Sequence, residues 1–265
     1  FSMKGTAESI RVMDDFGILD KILPEISESR GVLQPPEHFW PVFDHLIETV
    51  GKLEQILQND ANINSESENF ALEFIPYFAN REEYFKEVVG DGQTRLTLCK
   101  LACLLHDIAK PATRTIDNND RIRFLGHDEK GSEMSEAILK RLRFSKASTA
   151  IIANQVRQHL RPSQMAPKGE LPSKKAIYRY YRDLGEVSID NLFLNMADYM
   201  AARGPLLRKH EWKTHCEIIN HIISGGVAEE KPQKQERLVT GHDIMGGLRL
   251  SPGPHIGFLI EEIAE

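Results

Sequence analysis

Apolar positions recur at helical spacing along most of the chain. Residues 7–23 carry Ile10, Met13, Phe16, Leu19 and Leu23 on that rhythm, interrupted by Gly17 and closed by Pro24. Pro35 and Pro36 are read as opening the next helix, where a missing amide hydrogen costs nothing. In that helix Leu46, Val50, Leu53 and Leu57 form an amphipathic stripe, with His45 beside it. The polar stretch from Gln58 to Asn69 predicts a loop that ends in a capping box of Ser65 and Glu68. A helix bearing Phe74, Phe78 and Phe85 follows, and Gly90-Asp91-Gly92 breaks the chain before the stretch LCKLACLLHDIAKP, residues 98–111. There Leu98, Leu101, Ala102, Leu104 and Leu105 leave almost no polar face, which predicts a buried helix. It ends abruptly at His106-Asp107, followed by Lys110 and Pro111.

Past Pro111 the pattern loosens into a hairpin or irregular excursion with Asn118-Asn119-Asp120 at its tip. Helices resume around Met134, Ile138 and Leu142, then Ile151, Ile152, Val156 and Leu160, where Pro162 is read as a stop. Pro167, Gly169 and Pro172 mark a loop, and helical patterns then run over 173–184, 187–203 and 205–223. Gly225-Gly226 is read as a break into a mobile charged connection over 229–237, and the tail as short helices around Pro252-Gly253-Pro254. No internal repeat, GxGxxG or long strand alternation is present, so the expected fold class is all-α.

Composition changes this picture little. Over 265 residues, 41% hydrophobic and 27% charged content is ordinary for a globular protein. A net charge of −6 excludes a broad nucleic-acid-coating surface and leaves room only for local basic patches. Cys99, Cys103 and Cys216 form no Cys-x-x-Cys pair, so neither a disulfide framework nor a thiolate zinc site is indicated. Cys99 and Cys103, one helical turn apart in the apolar run, are read as small core hydrophobes. No apolar run approaches the ~18 residues of a membrane span. The expected setting is cytoplasmic, and the opening Phe-Ser-Met reads as the edge of a piece cut from a longer protein.

Candidate chemistry narrows the reading further. His-Asp dipeptides occur at His106-Asp107, His127-Asp128 and His242-Asp243, so the pair alone is a weak signal. Only the first ends a buried helix. Asp243 is expected to serve a capping box with Thr240 rather than a ligand role, and Asp128 suits the first turn of the helix after Gly126. His45, His127 and His159 supply further imidazoles. Asp198 lies among Leu192, Leu194, Met196 and Ala197, where a buried carboxylate must be paired or coordinated; the alternative is a surface pair with Arg203. Imidazoles and carboxylates without thiolates suit Mn, Fe, Co, Ni, Zn or Mg, and residue types alone do not choose among them.

The order His45, His106-Asp107, Asp198 resembles the signature of the HD-domain metal-dependent phosphohydrolase superfamily. LDKILPEISESRGVLQ, LLHDIAKP, RIRFLGHDEKGSEM, LKRLRFS, VRQHLRP and TGHDIMGGLRLSPGPHIG are similar to the HD region of bacterial CCA-adding enzymes and poly(A) polymerases, across about residues 8–265. The resemblance implies a neck segment over 1–34, an HD domain over 35–224 and a tail of that enzyme type over 225–265. It implies one metal on His45, His106, Asp107 and Asp198, and a second on His127 and His159 bridged by Asp107. His106, Asp107 and Lys110 are then the expected catalytic residues. Lys110, Arg157 and Arg161 are the expected phosphate contacts, because guanidinium forks suit phosphate oxygens.

The implied activity is hydrolysis of nucleotide or RNA-end phosphates such as 2′,3′-cyclic phosphates. The competing expectation is an RNA-binding region of a tRNA nucleotidyltransferase or poly(A) polymerase relative. Lys175, Arg179 and Arg182, on one helical face with Tyr178, Tyr180 and Tyr181 interleaved, are its candidate contacts. Tyrosines at that spacing also suit core packing. Lys140, Arg141, Arg143 and Lys146 form another basic run. The sequence departs from those enzymes in one respect. It contains no Asp-x-Asp pair, so nucleotide addition is not expected of this chain alone.

Overall fold

The computed structural model describes residues 1–58, 66–167, 169–228, 245–247 and 253. Two compact units divide the chain, residues 1–226 and 227–265. The first unit opens with α1 (Thr6–Asp15) and α2 (Leu19–Ile22), separated at Gly17, whose φ of 66° takes the left-handed region that favours glycine. Then come α3 (Val42–Gln58), α4 (Glu66–Glu73), α5 (Arg81–Lys86) and a ribbon of β1 (Val88–Gly90) and β2 (Gln93–Thr94). Next are α6 (Arg95–Leu105), α7 (Lys110–Thr113) and a second ribbon of β3 (Thr115–Ile116) and β4 (Ile122–Arg123). The series closes with α8 (His127–Arg141), α9 (Lys146–Gln158), α10 (Arg161–Gln164), α11 (Lys174–Leu184), α12 (Ser188–Arg203) and α13 (Lys209–Ala228). The fold is all-α, with two antiparallel ribbons among the described residues.

Packing follows the apolar pattern. α6 lies against α3, α9 and α12, and nearly its whole circumference is buried. Thr94 caps it, accepting from the Thr97 amide at 3.2 Å. Cys99 and Cys103 are buried and free, as small core residues. One polar residue joins that apolar set. Lys100 is more buried than Leu101, with its Nζ 2.8 Å from Glu54 Oε1 and donating also to Thr6 Oγ1 and the Met3 carbonyl. A second buried pair sits at the other end, where Tyr84 Oη and Arg95 Nη1 meet Asp190 Oδ2 at 2.8 and 3.4 Å.

Several local expectations change. Pro35 and Pro36 lie in a turn; α3 begins after Pro41, whose carbonyl accepts the His45 amide at 2.9 Å. Phe74 and Phe78 fall between α4 and α5, because Pro76 interrupts the helix, yet both still pack on the core. α4 starts inside the expected Gln58–Asn69 loop, and Ser65 of the proposed capping box lies outside the described residues. Pro162 sits in the first turn of α10, where proline fits, so it starts a short helix after His159.

Gly225-Gly226 is no break: α13 continues through it to Ala228. A Cβ at Gly225 would come within 3.0 Å of Ile177 Cδ1, and one at Gly226 would overlap the Tyr181 ring. The pair lets α13 pass close to α11. The connection over 229–237, Thr240 with His242-Asp243, and most of the tail lie outside the described residues. Among the described residues no helix is long and apolar enough to cross a membrane.

Candidate metal centre

Five helices deliver the polar groups to one place. α3 brings His45 in its first turn, and α12 brings Asp198 near its C-terminal end. The buried α6 ends at His106, so His106-Asp107 emerges from the middle of the core. α8 begins at His127 immediately after Gly126, whose φ of 75° turns the chain off the hairpin. His159 caps the C-terminus of α9.

Asp107 stands between two imidazole pairs. Its Oδ2 lies 3.4 Å from His45 Nε2 and 3.2 Å from His106 Nε2. Its Oδ1 lies 3.1 Å from His127 Nε2 and 3.6 Å from His159 Nε2. Within each pair the Nε2 atoms face one another, at 3.2 Å for His45 and His106 and 3.3 Å for His127 and His159. Asp198 Oδ1 closes the first group, 3.0 Å from His45 Nε2 and 3.6 Å from His106 Nε2.

The tautomers say what such a set is for. His106, His127 and His159 each donate Nδ1–H to the carbonyl three residues earlier: Cys103 at 2.8 Å, Phe124 at 2.6 Å and Val156 at 2.6 Å. That bond places a proton on Nδ1, so in the neutral ring the Nε2 lone pair is free. Bare lone pairs at 3.3 Å repel unless a cation lies among them. A hydrogen bond from the far ring nitrogen to a carbonyl is also how metal-binding histidines are oriented. Asp107 Oδ1 is buried without a hydrogen-bond donor, an acceptor that a cation would satisfy, and His45 Nδ1 is also buried without a partner. The donor set fits divalent metal, in groups of His45, His106, Asp107 and of Asp107, His127, His159.

Electrostatics agree. Burial opposes ionisation of Asp107, but His106 and Lys110 outweigh it and hold its carboxyl well below the usual range. Burial also opposes charge on His106, yet Asp107 and Asp198 push its pKa well up. The carboxylates that favour a proton there favour a metal cation equally. His159, with less carboxylate near it, is driven down to about 4 by burial and then by His106. It stays neutral, the state in which an imidazole can bind a metal.

A cleft of about 270 Å³ opens onto this centre, with Asp107, His127, His159 and Asp198 at its floor. Lys110 lines it, and its Nζ is 2.6 Å from Gln34 Oε1 and also contacts Asp107 Oδ2. Arg157 and Arg161 do not line it. Arg157 precedes buried His159 by two residues, roughly half a helical turn, and is exposed on α9. Arg161 is held by Asp183 at 2.8 Å. His38, Arg121 and Arg123 line the cleft instead. The sequence signal for the two arginines was their place in a hairpin directly before a histidine-headed helix.

Asp198 faces the histidines and not Arg203, whose guanidinium stacks 3.7 Å over the Tyr199 ring. On α11, Tyr180 is buried and its hydroxyl donates to the Ser188 carbonyl at 2.7 Å, while Tyr181 bonds the Ile222 carbonyl. Lys175, Tyr178, Arg179 and Arg182 form the exposed face. These residues do not line the cleft.

The HD domain family profile matches residues 42–203, which span all six candidate metal-binding side chains. The chain belongs to the HD domain family. This HD protein is 28% identical over 262 residues to an A-adding tRNA nucleotidyltransferase of Deinococcus radiodurans, covering 98% of the chain and 50% of that protein. It is 27% identical to a CC-adding tRNA nucleotidyltransferase of Thermus thermophilus, over 98% of the chain and 48% of that protein. The chain thus spans about half the length of these relatives. A bifunctional uridylyltransferase/uridylyl-removing enzyme of Novosphingobium aromaticivorans shares 28% identity over 169 residues, 15% of its length.

Proposed function

We propose that this HD protein is a metal-dependent phosphohydrolase acting on nucleotide or RNA-end phosphates, 2′,3′-cyclic phosphates among them. The observation that supports it best is Asp107, with one oxygen toward each of two facing imidazole pairs, three of whose four rings turn an Nδ1–H away to a backbone carbonyl. His45, His106, Asp107 and Asp198 would hold one divalent ion, and Asp107, His127 and His159 a second. Such ions lower the pKa of a coordinated water toward neutrality and offset phosphoryl charge. Lys110, buried with its ammonium on Asp107 and Gln34, presents a fixed positive charge to a phosphoryl oxygen at the cleft wall. The apolar core around α6 keeps bulk water from the donor side of the centre. Replacing His106 with Ala tests the reading: hydrolysis of 2′,3′-cyclic AMP should fall at least ~100-fold, and unchanged turnover would refute it.

A second reading concerns tRNA. The exposed α11 face of Lys175, Tyr178, Arg179 and Arg182 combines basic groups with an aromatic ring, and the relatives that match the whole chain are tRNA nucleotidyltransferases. Changing Lys175 and Arg179 to Glu should weaken tRNA binding and flatten its salt dependence; binding that ignores both changes removes this patch from consideration. Retained cyclic-phosphate hydrolysis in that variant would separate the two surfaces.

A further inference from the structure

The geometry points to the β3–β4 hairpin as a recognition arm for a nucleotide, one that takes a second phosphate and the nucleoside beyond the phosphoryl group at the metal ligands. This rests on the phosphate-ester reading above. The cleft, about 270 Å³, lies just below the usual range for ligand sites and has room for one nucleotide and not for a duplex. Its floor and its rim differ in chemistry. The floor carries the imidazoles and carboxylates; the rim carries Arg121, Ile122, Arg123 and Leu125 from the hairpin.

Both arginines are held by partners that an anion can replace. Arg121 Nη2 lies 2.7 Å from Glu37 Oε1, with the two side chains 49% and 52% exposed. Arg123 Nε lies 3.0 Å from Asp117 Oδ2, also at the surface. Exposed pairs of this kind contribute little, whereas a phosphate offers each fork two charged acceptors. Releasing Arg123 leaves the hairpin tip intact, because Asp117 Oδ1 accepts from the Asn119 and Arg121 amides at 3.0 and 3.1 Å. Arg121 also bridges the hairpin to the turn that contains His38, across the same cleft.

The apolar part of the rim has the opposite fault of an ordinary surface. Leu125 is 81% exposed at the lip of a charged centre, two residues before His127. Ile122 lines the same wall. An apolar rest beside two guanidinium groups matches a ribose and base flanked by phosphates. The chemistry is shared by a free nucleoside bisphosphate and by the 3′-phosphorylated end of an RNA chain.

Equilibrium binding to the full chain in Mn²⁺ buffer, read by calorimetry, tests the inference with adenosine 3′,5′-bisphosphate, adenosine 3′-monophosphate and inorganic phosphate. The bisphosphate should bind about tenfold tighter than the monophosphate. Arg121→Gln and Arg123→Gln should each remove most of that advantage and leave inorganic phosphate within about twofold. Leu125→Ser should weaken both nucleotides and spare inorganic phosphate. Glu37→Gln frees Arg121 and should tighten the bisphosphate, a gain that structural damage does not produce.

Equal affinity for the two nucleotides overturns the proposal, as does parallel loss of inorganic phosphate in the arginine variants or weaker binding after Glu37→Gln. A pentanucleotide with a 3′-phosphate that outcompetes the bisphosphate assigns the arm to chain ends; equal binding assigns it to free nucleotides. This binding pattern without cyclic-phosphate hydrolysis would sink the hydrolase reading and leave the arm standing. Hydrolysis without the pattern would do the reverse.

Discussion

Single residues in this protein do work set by what surrounds them, and His215 illustrates it away from the metal centre. It lies on α13, stacked 4.1 Å from the Tyr199 ring, with its Nε2 buried and unpartnered. Burial, helped by Arg203, drives its pKa from the ordinary 6.5 to about 3. The fold therefore keeps His215 neutral. Because the folded value is the lower one, its contribution is complete above pH 6.5 and is lost as pH falls toward 3. At pH 5 the loss is about 2 kcal/mol. His215→Phe keeps the stacked ring and removes the proton, so urea unfolding at pH 8 and pH 5 should differ by about 2 kcal/mol less than in the parent. An unchanged pH dependence would show that other groups carry the acid sensitivity. Nothing in the sequence singled out His215: Trp212 is its neighbour one turn back on α13, but Tyr199, on which it stacks, comes from α12.

At the level of elements, periodicity alone placed most of the helices. The stripe of Leu46, Val50 and Leu53 is buried, and the run ending at His106 is a core helix. Misreadings cluster at proline and glycine, whose local meaning depends on neighbours. Gly225-Gly226 has the composition of a break, but it serves as the contact of α13 with Ile177 and Tyr181. Lys100 was illegible for a similar reason: a lysine in an apolar run is buried only if another helix brings an acid, and α3 brings Glu54. Glu54→Gln leaves the Lys100 ammonium buried with its counter-charge gone and should cost about 3 kcal/mol in urea unfolding. Replacing Lys100 and Glu54 together with Met and Leu should recover most of that. If the single change is silent, Lys100 is solvated and not held by the pair.

For the whole molecule, the candidate metal centre lies where α3, α6, α8, α9 and α12 converge, so a metal bound there would be linked to folding. Facing Nε2 lone pairs and two buried carboxylates are satisfied together by a bound cation. A chelator-stripped protein should melt at lower temperature than the Mn²⁺-loaded one, since a ligand at 100 times its Kd adds about 2.7 kcal/mol. His127→Gln should bring the metal content from two per chain to one and shrink the rise in Tm. A stripped protein with unchanged Tm and no metal uptake would remove the centre from the account. The positions of His45, His127, His159 and Asp198 were legible as candidates through their order along the chain. Arg157 and Arg161 flank His159 in sequence, yet helical phase turns Arg157 to the exposed side of α9 and Asp183 holds Arg161 on α10, so neither lines the cleft.

Hydrophobic spacing by itself determined that the chain is helical and that the stretch ending at His106 is buried, because amphipathicity is a local property of consecutive residues. The same letters determined which side chains were able to bind a metal. Only the tertiary structure decided that Asp107 shares its two oxygens between His45 with His106 and His127 with His159. It alone brought Arg121 and Arg123, not Arg157 and Arg161, to the mouth of the cleft. The reason is distance: His45, Asp107, His127, His159 and Asp198 come from segments far apart in the chain, and only helix packing sets the few ångströms between them.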